Sequence, residues 1–362
     1  MAFSRYQYKK RKLALIIPAH NEEMVIESTI RSAIAASLHP ADIFVVADGC
    51  HDGTVEIATR LLGESNVLDQ LQTGKARAIE HAIRAFNIPG RYDWLHIADA
   101  DGAFDSKYFE IVLARLDRRY VAMTGHIQSL KGSWIGKYRV YEYALGLEIM
   151  RRIQAFLGVI PVMPGPTSIF RTDILARLDF KTDSLAEDMD LTLQIHRAKL
   201  GRILYIPEAK TFSQDPKDLA DYTKQISRWY RGNFQAMQRH RIGLHPQKID
   251  AYLAYIVLEQ WILVMGLITL PVMAWWYQNY EPLALLFLDD LVIFFVFITW
   301  AAAKNERADI ISAFPLFYLL RFLSLAIFVR SWFEIVVQHK FRSASAGWST
   351  AGRRYRIGTS MQ

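Results

Sequence analysis

The sequence predicts an α/β protein: a three-layer domain on a mostly parallel sheet, followed by C-terminal transmembrane helices. Two observations carry this. From residue 13 to about residue 210, short apolar runs alternate with amphipathic helical stretches, the pattern of β-α-β units. Hydrophobic residues make up 52% of the 362 and collect after residue 250, beyond what a soluble domain needs.

The elements follow in order. Residues 1–12 form a basic arm with Arg5, Arg11 and Lys12, solvated or lipid-facing and unlike a signal peptide. Leu13–Ile17 reads as a buried strand, and a helix to about Ala36 follows, with Asn21 as its candidate cap. Ile43–Ala47 is a second strand, running into Asp48-Gly-Cys-His-Asp52-Gly-Thr54, with Asp52 or Thr54 opening a helix to Leu62. Lys75 and Arg77 stand at the start of the next helix, where cations and free N–H groups can meet a diphosphate. Trp94–Ala98 is a central strand ending in Asp99-Ala-Asp101-Gly102. A helix over 106–117, a strand near Val121–Thr124 and a long aromatic helix over 134–157 come next. A Pro-Gly loop with Gly165 leads into a strand at Phe170-Arg171. Helices beginning at Asp183 and spanning 217–238 flank a last strand, Ile203–Ile206. The domain break falls in 240–246, placing a catalytic unit at 13–243, membrane helices at 244–338 and a basic tail at 339–362.

Asp99 and Asp101 sit where a parallel strand gives way to loop, the edge at which open α/β sheets bind ligands. Two carboxylates at i, i+2 suit a hard divalent cation, Mg²⁺ or Mn²⁺, completed by phosphate and water. Dehydrogenase-type Gly-x-Gly-x-x-Gly and Walker-type lysine motifs are missing, which argues against those nucleotide folds. The single cysteine, Cys50, leaves no intramolecular disulfide and no support for a thiolate cluster. Net charge +7 suits an anionic membrane surface, and no nucleic-acid partner is expected.

The ordered set Pro18-x-x-Asn21-Glu22, Asp48-Gly-x-x-Asp52, Gly74-Lys75, Asp99-x-Asp101, Gly165-x-x-x-x-Phe170-Arg171, Glu187-Asp188 and Gln225-x-x-Arg228-Trp229 resembles family 2 glycosyltransferases. The similarity is to the membrane-bound branch with cellulose, hyaluronan, chitin and poly-N-acetylglucosamine synthases, over about residues 13–240. The resemblance implies a GT-A fold and inverting transfer from a nucleotide-sugar, a UDP-sugar first, to a hydroxyl of a glycan or lipid. It implies donor contacts from Pro18, Asn21, Glu22, Asp48, Lys75, Asp99, Gln225 and Arg228, with Asp48 at the base or ribose. Asp99 and Asp101 then hold Mg²⁺ or Mn²⁺. Asp188 is the implied general base and Glu187 its neighbour, while Gly165, Phe170, Arg171 and Trp229 line the acceptor side. One base without a second nucleophile suits single displacement. Read alone, Glu187-Asp188 is equally an acid pair offsetting a helix dipole.

Transmembrane helices ahead of the catalytic unit, common in the processive members, are not seen, so processive synthesis and single-sugar transfer to a lipid both stay open. A nucleotide-binding membrane transport subunit is the reading from a different class, and a second copy or partner subunit could add further spans. Residues 260–277 and 282–303 are long and apolar enough to cross a bilayer, although Asp289 and Asp290 interrupt the second. Residues 310–337 are broken by Arg321, Arg330 and Glu334. Basic flanks put both ends of the first two spans in the cytoplasm, consistent with a plasma-membrane protein whose catalytic unit faces inward. A third full crossing exports the basic tail against that rule, so the last segment is either partly interfacial or an exception. Residues 224–241 mix arginines with Trp229, Tyr230 and Phe234, as an interfacial helix does; an amphipathic core helix is the alternative.

Overall fold

The computed structural model describes residues 11–129, 133–181 and 184–340. Most of the basic arm, Asp183 and nearly all of the basic tail lie outside the described residues. Eight strands form one sheet in the order β3-β2-β1-β4-β7-β6-β8-β5. β1 (Arg11–Ala19), β2 (Ile43–Asp48), β3 (Val67–Gln70) and β4 (Tyr92–Ile97) run parallel. β7 (Ser168–Arg171) lies antiparallel between β4 and β6 (Tyr120–Ser129). β6 pairs parallel with β8 (Arg202–Ser213), and β5 (Ala103–Phe104) closes that edge antiparallel. The sheet is therefore mixed, with its parallel half under the candidate site.

Alternation along the strands builds the three layers. Leu13, Leu15, Ile17, Val45 and Trp94 face a core with α1 (Ile26–Ala35), α2 (Thr54–Leu62) and α5 (Tyr108–Arg115). Ala14, Ile16, Phe44, Val46, Leu95 and Ile97 face the other core, with α3 (Lys75–Ala85) and α8 (Glu187–Arg197). A single turn, α4 (Ile88–Arg91), leads into β4. Strands buried on both faces explain why they read as continuous apolar runs. The 134–157 stretch is one rod: α6 (Trp134–Tyr143), a π-helical segment (Ala144–Met150) and α7 (Arg151–Leu157).

Asn21 does not cap α1. It takes positive φ, and its Oδ1 accepts from His51 N–H at 2.8 Å, bridging the loops after β1 and β2.

After α9 (Leu219–Arg239) come three helices long and apolar enough to span a bilayer: α10 (Lys248–Trp276), α11 (Glu281–Lys304) and Ala308–Val337, whose centre is α12 (Phe314–Trp332). α10 starts twelve residues before the expected 260. Two of the charges that interrupt the second and third spans, Asp290 and Arg321, partner one another. Arg321 on α12 reaches Asp290 on α11 at 3.0 Å, and Tyr318 donates to the same carboxylate at 2.6 Å, as ionisable groups in lipid must. The aromatic face of α9 is not left for lipid. Tyr230 packs edge-on and Phe234 tilted against Phe328 of α12, each with ring centroids 5.6 Å apart, and Arg231 pairs with Glu334 at 2.7 Å. The 224–241 stretch is thus the joint between the α/β layer and the apolar helices.

Candidate active site

Parallel pairing brings the ends of β2, β1 and β4 to one edge, and the expected donor residues gather there. Pro18 is buried in the last turn of β1's register, beside Val46. Glu22 is buried and its N–H donates to Thr54 Oγ1 at 2.7 Å. Asp48 is fully buried. Its Oδ1 accepts from Thr73 N–H at 2.8 Å and Gln70 Nε2 at 2.8 Å, and its Oδ2 from Gly74 N–H at 2.8 Å. Asp48 therefore shapes the loop that presents Lys75, with its carboxylate turned to the protein's own donors.

Beyond β4, the turn with Asp99 and Asp101 is held from beneath. Thr29 Oγ1 lies 2.7 Å from the carbonyl oxygens of both Ala100 and Gly102. His96 Nε2 approaches Pro166 O at 3.2 Å, and burial pushes this imidazole down to about 3, keeping it neutral. Gly165 lies against Asp99: a methyl at its Cβ position falls 2.8 Å from Asp99 Oδ1. A side chain there would have to push the Asp99 carboxylate aside.

Lys75 sits between the two acid groups. Its Nζ lies 2.7 Å from Asp99 Oδ1 and 2.6 Å from Glu187 Oε1. Burial opposes the ammonium, yet those two carboxylates hold its pKa above the ordinary value. Burial likewise disfavours ionised Glu187, but Lys75 at contact and Arg228 keep it below the usual carboxylate range. Asp188 behaves oppositely: burial, then the charge of Glu187, raises it to about 6. Burial, then Asp99, raises Asp101 to about 6 as well. Neighbouring acids pushed apart in this way mark distinct roles. Glu187 is held ionised by its ion pair with Lys75, and Asp188 beside it keeps its proton to higher pH than an ordinary carboxyl.

Two consecutive helices, α8 and α9, complete this cluster. α8 opens with Glu187-Asp188, and the strip before it lies on α9: Leu185 N–H donates to Gln235 Oε1 at 3.0 Å, and Ser184 Oγ to Gly232 O at 3.1 Å. A Cβ on Gly232 falls 2.6 Å from Ala186 N, so this helix contact depends on glycine. Arg228 donates weakly to Leu185 O at 3.4 Å. Its buried Nε has no hydrogen-bond partner among the described residues, an orphan that an anionic ligand would satisfy.

Gln225 and Trp229 are gathered by a residue the motif does not contain. Arg139 on α6, 1% exposed, donates to Gln225 Oε1 and to Glu142 Oε2, the latter at 2.6 Å, and lies 4.8 Å from the Trp229 ring centroid. A buried arginine among the aromatics of 134–157 was the available signal. Phe170 and Arg171, expected at the acceptor side, are not brought to the cluster. β7 is antiparallel to β4, so Ser168 sits opposite Ile97 while Arg171 sits opposite Trp94, at the far end of the strand. Phe170 is buried in the sheet core, and Arg171 donates to Arg118 O at 2.7 Å and pairs with Asp173.

Among the described residues, no group of three or more His, Cys, Asp or Glu could hold a metal by itself. The two aspartates still fit a hard cation. Burial and then the charge of Asp99 raise Asp101, the oxygens are of the right class, and phosphate would supply further ligands.

Comparison with known proteins finds relatives of this chain. Poly-beta-1,6-N-acetyl-D-glucosamine synthase of Staphylococcus aureus strain COL is 26% identical over 234 residues, 63% of this chain and 56% of that protein. The Staphylococcus epidermidis enzyme of the same name is 24% identical over the same length. The chain thus matches little more than half the length of these relatives. A mannosyltransferase from Pyrobaculum calidifontis, solved with GDP-Man and Mn²⁺, superposes with a TM-score of 0.60 at 18% identity, covering 86% of this chain and 87% of that one. The fold is accordingly GT-A. Since the model for "Glycosyltransferase like family 2" matches residues 10–232, more than half of the chain, the protein belongs to that family.

Proposed function

We propose that the protein transfers a hexosyl or N-acetylhexosaminyl group, with inversion, from a nucleotide-diphosphate sugar to a hydroxyl of a glycan or lipid acceptor. The observation that carries this is the junction of Lys75, Asp99, Asp101, Glu187, Asp188 and Arg228 at the carboxyl edge of the parallel strands. UDP-N-acetylglucosamine is the first donor to test, because the curated relatives are poly-N-acetylglucosamine synthases. Residues 13–243 form the catalytic unit in this reading and 244–338 the membrane part.

Asp188 takes the proton of the incoming hydroxyl as the sugar–phosphate bond opens on the opposite face. Glu187, tied to Lys75, stays ionised and holds the ammonium in place. Arg228 stands near all three of Asp101, Glu187 and Asp188, and its unpartnered Nε suits an oxygen of the departing diphosphate. Asp99 and Asp101 are the residues that would hold Mg²⁺ or Mn²⁺. Such a cation would neutralise the charge developing on the diphosphate. Lys75 Nζ, between Asp99 and Glu187, is within reach of a diphosphate bound beside Asp99.

In this reading the catalytic unit faces the cytoplasm at the plasma membrane. Arg239 and Arg241 precede α10 and Lys248 opens it, while Lys304 ends α11 and Arg307 follows it, the basic flanks expected there. A transport subunit has no use for an acid poised as Asp188 is. The test is turnover: protein in vesicles is given UDP-N-acetylglucosamine, UDP-glucose or GDP-mannose with Mg²⁺ or Mn²⁺, and nucleotide release and product mass are measured. Release of nucleoside diphosphate with a sugar-extended product supports the reading, and the product's size separates polymer from single transfer. No turnover of any donor by folded protein that binds nucleoside diphosphate would overturn it.

A further inference from the structure

We infer that Arg151 and Gln154 on α7 form an acceptor subsite for an oxyanion, so that the compound whose hydroxyl reacts at Asp188 carries a carboxylate or phosphate of its own. The inference rests on the transfer reading above, because it takes Asp188 as the residue that meets the acceptor. α7 is built inside out. Its exposed residues include Ile153, Phe156 and Leu157, while the two it buries are polar: Arg151 and Gln154, 6% and 8% exposed. An ordinary surface helix turns its apolar stripe inward. Standing at i, i+3, the two buried side chains share one face.

Neither side chain is satisfied by the protein. Arg151 uses one nitrogen: Nη1 donates to Val162 O. Its Nε is buried without a partner, and its Nη2 makes no hydrogen bond among the described residues. The Nε–Nη2 edge is a fork that meets a carboxylate or phosphate with two parallel N–H···O bonds. Burial pushes this guanidinium down to about 10, opposed by Tyr205, Tyr252 and the charge of Asp188. A buried cation with no counter-charge at contact is costly, and a ligand oxyanion would supply one. Gln154 Nε2 donates to Tyr252 OH of α10 at 2.7 Å, while its buried Oε1 has no partner and would accept from a ligand hydroxyl. The position belongs to the acceptor side. Lys75 and Arg228 are the cations acting on Asp101 and Glu187. Arg151 instead holds Val162, and the next residue, Met163, donates its N–H to Thr192 Oγ1 at 3.0 Å. Thr192 Oγ1 in turn donates to Asp188 O at 2.6 Å. The strip that Arg151 grips therefore lies on the helical turn that carries Asp188.

The test is calorimetry on the full protein in neutral detergent, with UDP at saturation so that the donor-side cations are engaged. Each pair of probes contrasts an acid with its neutral counterpart: glucuronate against glucose, and dihexanoyl phosphatidic acid against dihexanoylglycerol. The parent should bind the acidic member of at least one pair about tenfold or more tightly. The pair that responds tells a sugar acid from a lipid phosphate. Arg151→Gln should erase that preference, and Arg151→Lys should keep only part of it, since an ammonium lacks the fork. Gln154→Leu leaves the charge in place and should weaken binding of the same probe, a check that stands even where Arg151→Gln does not fold. A parent that tells neither pair apart overturns the inference, as does a preference that folded Arg151→Gln retains. Failure to turn over any donor, with the preference intact, counts against the reaction proposed above and leaves the oxyanion site standing.

Discussion

Replacing Asp188 by asparagine separates the two consequences of its environment. Burial and the charge of Glu187 move this carboxyl from the ordinary 3.8 to about 6. The ionised folded protein bears about 3 kcal/mol of strain from that displacement at full effect, and less where Glu187 shares the titration. The sign follows from the raised value. Below about pH 4 the acid is protonated in folded and unfolded chains alike and contributes nothing. The destabilisation grows between pH 4 and 6 and is constant above. Asparagine cannot ionise, so Asp188→Asn should melt higher than the parent at pH 7.5, with the gain fading towards pH 4. Activity moves oppositely: loss of the base should lower kcat by about 10²-fold or more, while calorimetry shows UDP affinity retained. In the parent, kcat should fall tenfold per pH unit below about 6, as the base takes up its proton. Thermal melting and initial rates across pH 4–8 read both effects. A variant no more stable than the parent at pH 7.5, or one that keeps its turnover, refutes the assignment of Asp188 as a strained base.

Chelation should abolish transfer and added Mg²⁺ or Mn²⁺ restore it, whereas Asp101→Ala should respond to neither; full activity of metal-stripped Asp101→Ala protein would remove the metal from the scheme. Lys75→Met takes away the charge that holds Glu187 low and opposes the rise of Asp188, so the acid limb of the kcat profile should move up by about one pH unit or more; an unmoved limb counts against the ion-pair role. Gly165→Ala places a methyl 2.8 Å from Asp99 Oδ1 and pushes that carboxylate aside, and titration should show it as weaker nucleotide binding with little change in melting temperature.

Parts of the site were legible because they lie at strand ends. An apolar run stopping at an acid is visible in sequence, and β2, β1 and β4 all stop at residues that line the cluster. β3 was not legible: Val67–Gln70 is four residues, half-exposed, with Asp69 and Gln70 in place of an apolar run. Phe170 and Arg171 share a motif with Gly165, but proximity in sequence is lost along an antiparallel strand, where each residue moves about 3.4 Å down the sheet. Gly232 and Ala186 are brought together only by helix packing, and no local pattern announces that contact. The charges at Asp290 and Arg321 looked like interruptions because their partnership crosses between two helices.

Arg139 is the residue whose role sequence pattern was least able to show, and its chemistry makes a sharp test. The guanidinium is nearly inaccessible, bonded to Glu142 and Gln225, 4.8 Å from the Trp229 centroid and 5.1 Å from that of Tyr222. Tyr222 OH lies 2.7 Å from Ser324 Oγ on α12, so the same group ties the catalytic helix α9 to an apolar helix. A planar fork can bond two acceptors and lie against a ring at once; an ammonium keeps the charge but not that geometry. Arg139→Lys should therefore preserve the buried charge while letting Gln225 and Trp229 shift. A displacement of about 1 Å at a positioning residue can cost about 10²-fold in rate, so kcat should fall more than donor affinity. Structural damage alone would lower melting temperature and add independently to other changes. Action through the motif requires instead that Arg139→Lys and Gln225→Ala be non-additive in kcat, by about 0.5–3 kcal/mol of interaction energy. Strict additivity, with both single variants folded, would show that Arg139 only fills the space between α6 and α9.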